Sequence, residues 1–209
     1  MVRKVGNVTH EQSATLPVAA STALNAIRDK GHVQPGQKVL INGASGGVWT
    51  FAVQIAKSFG GVVTAVCSTG NVDIVRSIGA DKVIDYTQED FTRSGERYDV
   101  MVDVAGNRSW PECRRVLSPK ARYVAVGAKK IGQVVANRLA SIGASQKWSF
   151  FIARVTKHDL LVLQELAESG RVRPVIDRRY ELGEAAEAFG YLREGHAKGK
   201  IVINVSTAG

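Results

Sequence analysis

The sequence predicts an α/β fold built on a doubly wound parallel sheet of about six strands, with a C-terminal helix–strand appendage. Short β-rich apolar runs alternate with helical patterns along most of the chain. A glycine-rich turn joins the first of these strands to a helix. The 209 residues include 44% hydrophobic and 22% charged residues, which is enough for one packed domain or one domain with an appendage.

Local patterns predict the individual elements. A helix is predicted over Glu11–Lys30, which Pro17 can interrupt, and Thr9 with Gln12 forms a capping-box pattern at its start. Apolar, β-branched runs predict six strands, at Lys38–Asn42, Val62–Val66, Lys82–Asp85, Tyr98–Val104, Ala121–Val126 and Trp148–Ala153. Helical spacing predicts helices at Val48–Phe59, Val72–Ile78, Trp110–Leu117 and Thr156–Ser169, while Ile131–Gly143 is ambiguous. The remaining elements are extended pieces at Pro174–Ile176 and Arg179–Leu182, a helix at Glu184–Glu194 and a strand at Lys200–Val205.

The chain is organised around the stretch QKVLINGASGGVWTFAVQIAKSFG, from Gln37 to Gly60. Gly43, Gly46 and Gly47 permit a tight turn between strand and helix that bulkier residues would block. The helix that follows leaves backbone N–H groups free at the positive end of its dipole. Such a turn is an anion site suited to a pyrophosphate, so we predict a Rossmann-type dinucleotide-binding domain.

Trp49 is the unusual residue of this turn. The dinucleotide fingerprint has a third glycine near this position, where helix and strand pack closely. Three arrangements can accommodate the large side chain: the helix lies further from the sheet, Trp49 points outward, or the cofactor pocket is altered.

The end of the second strand bears on which dinucleotide is bound. NAD-binding domains usually place an acidic residue there, which holds the ribose 2′-hydroxyl. This chain has Cys67-Ser68-Thr69 instead, and no carboxylate follows until Asp73. A 2′-phosphate would meet no repulsion, and Tyr86 could pack along the adenosine, so NADP(H) is favoured over NAD(H). The alternative is an ordinary polar loop.

Composition limits the partners and the compartment. The formal net charge of +9 favours an anionic ligand, while no nucleic-acid motif appears. Cys67 and Cys113 are too few for a disulfide framework or a structural zinc site, and His10 and His32 have no metal-ligand spacing, so no metal is expected. No apolar run reaches the roughly 20 residues of a membrane span, and the N-terminus lacks a signal-peptide core. We therefore expect a cytoplasmic protein that does not bind membranes.

Several motifs, in order, resemble the medium-chain dehydrogenase/reductase superfamily, in particular its zinc-independent quinone-oxidoreductase-like branch. They are LPVAASTALNAI, VQPGQKVLINGASGGV, FAVQIAKSFG, GADKVIDYTQEDF, YDVMVDVAG and GKIVINV, between about Asn7 and Val205. The resemblance implies an NADPH-dependent oxidoreductase of quinone or enone reductase type, or its cofactor-binding domain. In this branch no zinc polarises the substrate and the protein mainly orients nicotinamide and acceptor, so no catalytic acid or base is assigned.

The resemblance also implies the residues of the site. The turn that would cradle the pyrophosphate consists of Gly43, Ser45, Gly46, Gly47 and Val48. The 2′-phosphate and adenosine region would consist of Ser68, Thr69, Asn71 and Tyr86, and the ribose and nicotinamide would lie along Val104, Ala105 and Gly127. The family pattern reads GASGGVG, so Trp49 replaces a glycine.

Family architecture gives the expected organisation of the chain. Residues 1–177 would form the dinucleotide-binding domain with its N-terminal helix. Residues 178–209 would form a C-terminal segment that packs, in the family, on an N-terminal GroES-like domain that this chain lacks. The strand near Trp148–Ile152 resembles the edge strand used for dimer pairing, so we expect a homodimer through it.

The same turn permits a rival chemistry. Gly43-Ala44-Ser45-Gly46-Gly47 fits the G-x-S-x-G pattern of a nucleophile elbow between strand and helix. A serine esterase-type hydrolase would use Ser45 with Asp103 and either His158 or His196. Against this, the family turn contains the same string for phosphate binding, and a lone helical histidine is more often a surface residue. A third interpretation is a non-catalytic NADPH-binding module, which would bind NADPH tightly without turning over an acceptor.

Overall fold

The computed structural model describes residues 6, 8–43, 46–126, 131–195 and 197–205. The strands are β1 (Lys38–Asn42), β2 (Val62–Cys67), β3 (Lys82–Asp85), β4 (Tyr98–Asp103), β5 (Leu117–Val126), β6 (Lys147–Phe151), β7 (Ile176–Glu181) and β8 (Lys200–Asn204). The first six form a parallel sheet in the order β3-β2-β1-β4-β5-β6, and β7 pairs with β8 in a second parallel sheet. Because the chain winds outward from β1 first in one direction and then in the other, the predicted doubly wound fold is confirmed.

The helices connect these strands. They are α1 (His10–Thr15), α2 (Ser21–Leu24), α3 (Gly47–Ser58), α4 (Val72–Ser77), α5 (Trp110–Arg114), α6 (Ile131–Ala140), α7 (Lys157–Glu168) and α8 (Ala185–Glu194). Leu16–Ala20 and Asn25–Lys30 are π-helical, and Thr69–Asn71, Phe91–Arg93 and Leu182–Glu184 are 3-10 turns. Within the ranges described, no helix combines the length and the apolar character needed to cross a membrane.

Local capping signals confirm where two helices begin. Thr9 Oγ1 accepts from the Gln12 backbone N–H at 3.1 Å, and Gln12 Oε1 accepts from the Thr9 N–H at 2.9 Å. Thr156 and Asp159 form the equivalent reciprocal pair at the start of α7. These bonds satisfy N–H groups that the first turn of a helix leaves without intrahelical partners. Pro17 does not break the N-terminal helix, which continues through it as a π-helical stretch.

The core lies on both faces of the central sheet, because successive side chains of a buried strand point to opposite faces. Val39 and Ile41 of β1 belong to the larger hydrophobic cluster, which includes residues of α2, α3 and α7. Leu40 belongs to the smaller cluster, which includes Trp110 of α5 and Tyr123 of β5. The sheet is therefore covered on both sides, and its carboxyl edge is left for a ligand.

Several predicted boundaries were wrong where long-range pairing overrides local pattern. Leu117 lies at the start of β5 and not at the end of a helix, because it pairs with Tyr98 across a register irregularity in β4. The two extended pieces near the C-terminus are one strand, β7, because its partner β8 pairs along the whole of it. The ambiguous segment beginning at Ile131 is helical.

The sixth strand, β6, forms one edge of the central sheet. Ile152, just beyond its end, is 83% exposed. This is the position that the predicted homodimer contact requires, and the dimer itself stays a prediction. The C-terminal elements are tied to α1 through Glu11, which pairs with Arg179 at 2.7 Å and accepts from Asn204 at 3.2 Å.

One glycine inside α8 and one at its C-cap make a matched test of this helix. Gly190 lies in the helix interior, and a methyl group there would have nothing within 4 Å. We expect Gly190→Ala to raise the free energy of unfolding by about 0.5–1 kcal/mol, because alanine is the better helix former. Gly195 caps the helix at φ +75°, so Gly195→Ala should lower it by about 1 kcal/mol. Urea denaturation of both variants measures the difference, and destabilisation by Gly190→Ala would contradict the boundaries of α8.

Candidate functional site

Three glycines form the turn between β1 and α3, each for a different reason. A methyl group on Gly43 would lie 2.9 Å from Val104 Cβ, so β1 and the end of β4 approach too closely for any side chain. Gly46 has φ +111°, which side-chain-bearing residues rarely adopt. A methyl group on Gly47 would lie 1.9 Å from Lys200 Cδ, because the lysine stem crosses the first residue of α3. The predicted turn residues Ala44 and Ser45 lie outside the described residues.

Trp49 is a core residue. It is 1% exposed and belongs to the larger hydrophobic cluster, so the arrangement in which its side chain points outward is wrong. The indole lies among apolar side chains because burying so large an apolar surface outweighs leaving it at the turn. Its Nε1–H has no hydrogen-bond partner among the residues described. Val48, which precedes it, is partly buried against the same cluster.

The adjacent ends of β2 and β3 carry the predicted adenosine-side residues, together with the carboxylate of Asp85. Ser68 Oγ accepts from Asn71 Nδ2 at 3.1 Å, and Tyr86 is 40% exposed at the end of β3. Thr69 Oγ1 donates to Asp85 Oδ2 at 2.6 Å. This bond holds the pKa of Asp85 below its ordinary value, so the group is an anion at neutral pH.

Asp85 corrects the expectation that a 2′-phosphate would meet no repulsion here. No carboxylate follows Cys67 in sequence before Asp73, but Cys67 pairs with Asp85 in the parallel register of β2 and β3. Strand register therefore brings a negative charge to the Thr69 loop that counting along the chain does not reveal. In the sequence, the β-rich run that ends at Asp85 was the signal that could have revealed this carboxylate.

Asp103 organises the end of β4. Its carboxylate is buried and accepts hydrogen bonds from Asn42 Nδ2 at 3.0 Å, from the Gly106 N–H at 2.9 Å and from the Tyr123 hydroxyl at 2.5 Å. Burial raises the pKa of Asp103, and the donors oppose that shift. The Val104 and Ala105 N–H groups both donate to Asn42 O, at 2.7 and 3.0 Å.

These bonds fix the predicted ribose and nicotinamide segment against the glycine turn. Val104 is held beside Gly43, and the chain then turns away at Gly106. Sequence analysis missed this positioning role of Asp103, although a carboxylate at a strand end next to small residues was a usable signal. Gly127, the other residue of the predicted nicotinamide side, lies outside the described residues.

The residues of the hydrolase alternative are not brought together. Hydrogen bonds from Asn42, Gly106 and Tyr123 occupy Asp103, and no contact joins it to a histidine in the described part of the chain. His158 is exposed at the start of α7, beside a polar pocket of about 390 Å³. Ser45 and His196 lie outside the described residues.

The cysteines and acidic residues provide no metal site in the parts of the chain that can be described. Cys67 and Cys113 are free and buried, and burial raises the pKa of Cys67 to about 11. Thiols with raised pKa values are poor metal ligands, because zinc binds the thiolate. Over these same residues, no three histidine, cysteine or acidic side chains cluster closely enough to hold an ion.

Comparisons with known proteins identify the family of the chain. A family model described as zinc-binding dehydrogenase matches residues 78–203. The chain is 36% identical to mouse (Mus musculus) NAD(P)H oxidoreductase RTN4IP1, mitochondrial, in a match that covers 97% of the chain and 57% of the relative. It is 34% identical to the trans-enoyl reductase pgmF of Aspergillus terreus, over 93% of the chain and 59% of that protein.

A solved structure extends the likeness to three dimensions. The quinone oxidoreductase from Coxiella burnetii matches with a TM-score of 0.88 at 28% identity, over 98% of this chain and 64% of that chain. The chain therefore spans less than two thirds of the length of each of these proteins. The mouse relative is named as mitochondrial, so the cytoplasmic location predicted for this chain stays a prediction.

Proposed function

Because the chain belongs to the zinc-binding dehydrogenase family, within the medium-chain dehydrogenase/reductase superfamily, we propose that it is the cofactor-binding part of a nicotinamide-dependent oxidoreductase. We further propose that it prefers NADPH to NADH, and that the complete enzyme reduces a quinone or an enone. The names of the mouse, Aspergillus and Coxiella proteins support a reductase of this type. No contact described above supports the hydrolase alternative.

The glycine turn is the observation that carries this proposal. Gly46 stands at the N-cap of α3 and has no side chain to satisfy the first N–H groups of the helix, whereas α1 and α7 begin with capping boxes. Apart from its chain neighbours, no atom of the described residues lies within 4 Å of the position that a methyl group on Gly46 would take. An uncapped, 12-residue helix behind an open glycine turn fits a pyrophosphate, which would accept these hydrogen bonds and favour the positive end of the dipole.

When bound, the nicotinamide ring supplies or accepts a hydride. The residues of this chain would bind the cofactor and orient it. The first turn of α3 would hold the pyrophosphate, and the segment Val104–Ala105, pinned to Asn42 O, would position the ribose and nicotinamide side. Ser68, Thr69 and Tyr86, at the ends of β2 and β3, would line the adenosine side.

Calorimetric titration with NADPH and with NADH tests the cofactor proposal. We expect saturable binding of both, with NADPH the tighter ligand. If neither NADPH nor NADH binds, the proposed function is overturned. Oxidation of NADPH in the presence of quinone and enone acceptors then separates a complete reductase from a binding module.

Two glycine variants provide the matched control. Gly46→Ala and Gly36→Ala both place a methyl group at a positive-φ position, and neither methyl would have a non-neighbouring atom of the described residues within 4 Å. Both variants should therefore lower the free energy of unfolding by a similar amount. Only Gly46 lies at the proposed phosphate cradle, whereas Gly36 precedes the opposite end of β1. We expect Gly46→Ala to weaken NADPH binding by about tenfold or more, and Gly36→Ala to leave it unchanged. Equal effects would show that strain, and not the cradle, governs binding.

A further inference from the structure

The polar pocket of about 390 Å³ beside His158 is separate from the proposed cofactor site. One of its walls is the end of the N-terminal helix, Asn25–Lys30. The other is the segment 151–159, which runs from the end of β6 into the first turn of α7. None of the residues that line it belongs to the glycine turn, to the ends of β2 and β4 or to the C-terminal segment. Its volume is within the range of about 300–1,000 Å³ that is usual for small-molecule sites.

The carboxylates of this pocket are already paired. Arg28 Nε and Nη2 donate to the two oxygens of Asp29 at 2.6 and 2.8 Å, and Nη2 also donates to Asp159 Oδ1 at 2.6 Å. The other Asp159 oxygen accepts from the Thr156 hydroxyl at 2.7 Å. All four carboxylate oxygens therefore have donors within the protein, so neither carboxylate needs a further cation.

Two cations of the pocket have no such partner. Lys30 and Arg154 are exposed, and neither forms an ion pair within the described part of the chain. The Arg154 N–H donates to the side chain of the buried Asn25 at 3.4 Å, which fixes the backbone of Arg154 at the pocket wall. A helix C-terminus favours a cation such as Lys30, but Arg154 precedes the N-cap of α7, the end that the helix dipole makes positive.

Apolar surface lies beside these cations. Ile152 is exposed over most of its side chain, and Phe151 is half-buried. A ligand that covers them would remove apolar area from water, which is favourable. With His158 neutral, three cations and two carboxylates leave the pocket with a formal charge of +1. The pocket therefore combines an anion-binding side with an apolar side.

We propose that this pocket is a second binding site, which takes a small organic anion. The carboxylate or monophosphate group of the ligand binds Lys30 and Arg154, and its apolar body packs on Phe151 and Ile152. A guanidinium presents a fixed fork of donors that matches either of these anionic groups. Because the pocket shares no residue with the proposed cofactor site, this inference does not depend on the proposed function.

An NMR titration of the chain without cofactor tests this site. The probes are benzoate and phenyl phosphate, compared with benzyl alcohol, which lacks the charge, and with inorganic phosphate, which lacks the apolar body. We expect benzoate or phenyl phosphate to shift the backbone amides of residues 151–159 saturably, and the tighter of the two shows whether the site prefers a carboxylate or a phosphate. Benzyl alcohol and inorganic phosphate should bind about tenfold more weakly or worse. Shifts confined to the glycine turn, or no saturable shift up to about 20 mM, would overturn the inference.

Variants of exposed residues separate the site from general attraction to a basic surface. Arg154→Met and Lys30→Met should each weaken binding of the tighter probe by about tenfold, because each removes a charged donor. Ile152→Ser should weaken it by about threefold to fivefold, because apolar contact is lost. Lys157→Met is the matched control, since Lys157 is exposed in the same segment and carries the same charge but does not line the pocket. It should bind the probe as the unmodified chain does, and a loss equal to that of Arg154→Met would overturn the inference.

Discussion

Trp49→Gly is expected to lower the free energy of unfolding by about 4–6 kcal/mol. Truncating a buried tryptophan typically costs about 3–5 kcal/mol, because the lost apolar contacts leave a cavity that the surroundings fill only in part. Glycine in a helix adds about 1 kcal/mol relative to alanine. Trp49 is 1% exposed in the first turn of α3 and contributes to the larger cluster, so both costs apply in full. Urea denaturation followed by circular dichroism measures the change.

Trp49→Phe is the control for this prediction. Phenylalanine retains most of the apolar volume and removes the indole N–H, which has no partner among the described residues. Its cost should be about 1–2 kcal/mol, well below that of glycine. A loss below about 1 kcal/mol for Trp49→Gly would show that the side chain does not anchor α3. Because Trp49→Phe is expected to fold, it is also the variant in which to measure NADPH affinity.

Asp103→Ala is expected to destabilise the chain by about 3–5 kcal/mol, since it removes the acceptor shared by three donors, two of which belong to the buried residues Asn42 and Tyr123. Those donors are Tyr123 Oη–H, Asn42 Nδ2–H and the Gly106 N–H. The same change removes the bond that holds the Gly106 N–H beside the end of β4, next to the proposed nicotinamide segment. We therefore expect NADPH binding to weaken by about tenfold or more, even where the variant is still folded.

Tyr123→Phe separates these effects, because it removes one donor and leaves the bonds from Asn42 and Gly106. We expect Tyr123→Phe to lower the free energy of unfolding by about 1–2 kcal/mol and to change the NADPH affinity little. If Asp103→Ala lowers the free energy of unfolding no more than Tyr123→Phe does, the carboxylate is not the centre of this hydrogen-bond network. The sign of the pH dependence provides a second readout.

Burial raises the pKa of Asp103 above its ordinary value of 3.8, so the folded chain holds this proton where the unfolded chain has lost it. The stability contributed by the proton is present below pH 3.8 and is lost as the pH rises through the folded-state pKa. Asp103→Asn should remove this part of the pH dependence.

Signals that act over a few residues were sufficient to predict much of the fold. The six strands, the glycine turn and the capping box at Thr9 each depend on neighbouring residues, and the structure contains all of them. The site was less predictable, because its charges come from distant parts of the chain. Asp85 reaches Thr69 only through strand register, and Lys200 reaches Gly47 only through the packing of β8.

The position of Trp49 shows a different limit. Local pattern identified a residue too large for the turn, but its direction depends on how α2 and α7 cover the same face of the sheet. Tertiary packing therefore resolved a question that spacing along the chain left open. Residue type alone could not say whether the indole faces the core or the solvent.

The contact between Lys200 and Gly47 can form only late in synthesis, because the two residues are far apart in the chain. Ribosomes add about 5–20 residues per second, and Lys200 follows Gly47 by about 150 residues. The glycine turn is therefore synthesised roughly 8–30 s before the lysine that crosses it. A nascent chain could pair β1 through β6 before β8 has emerged, and it would then carry a phosphate cradle with one side missing. A dinucleotide bound at the glycine turn would then stabilise only molecules in which β8 has docked.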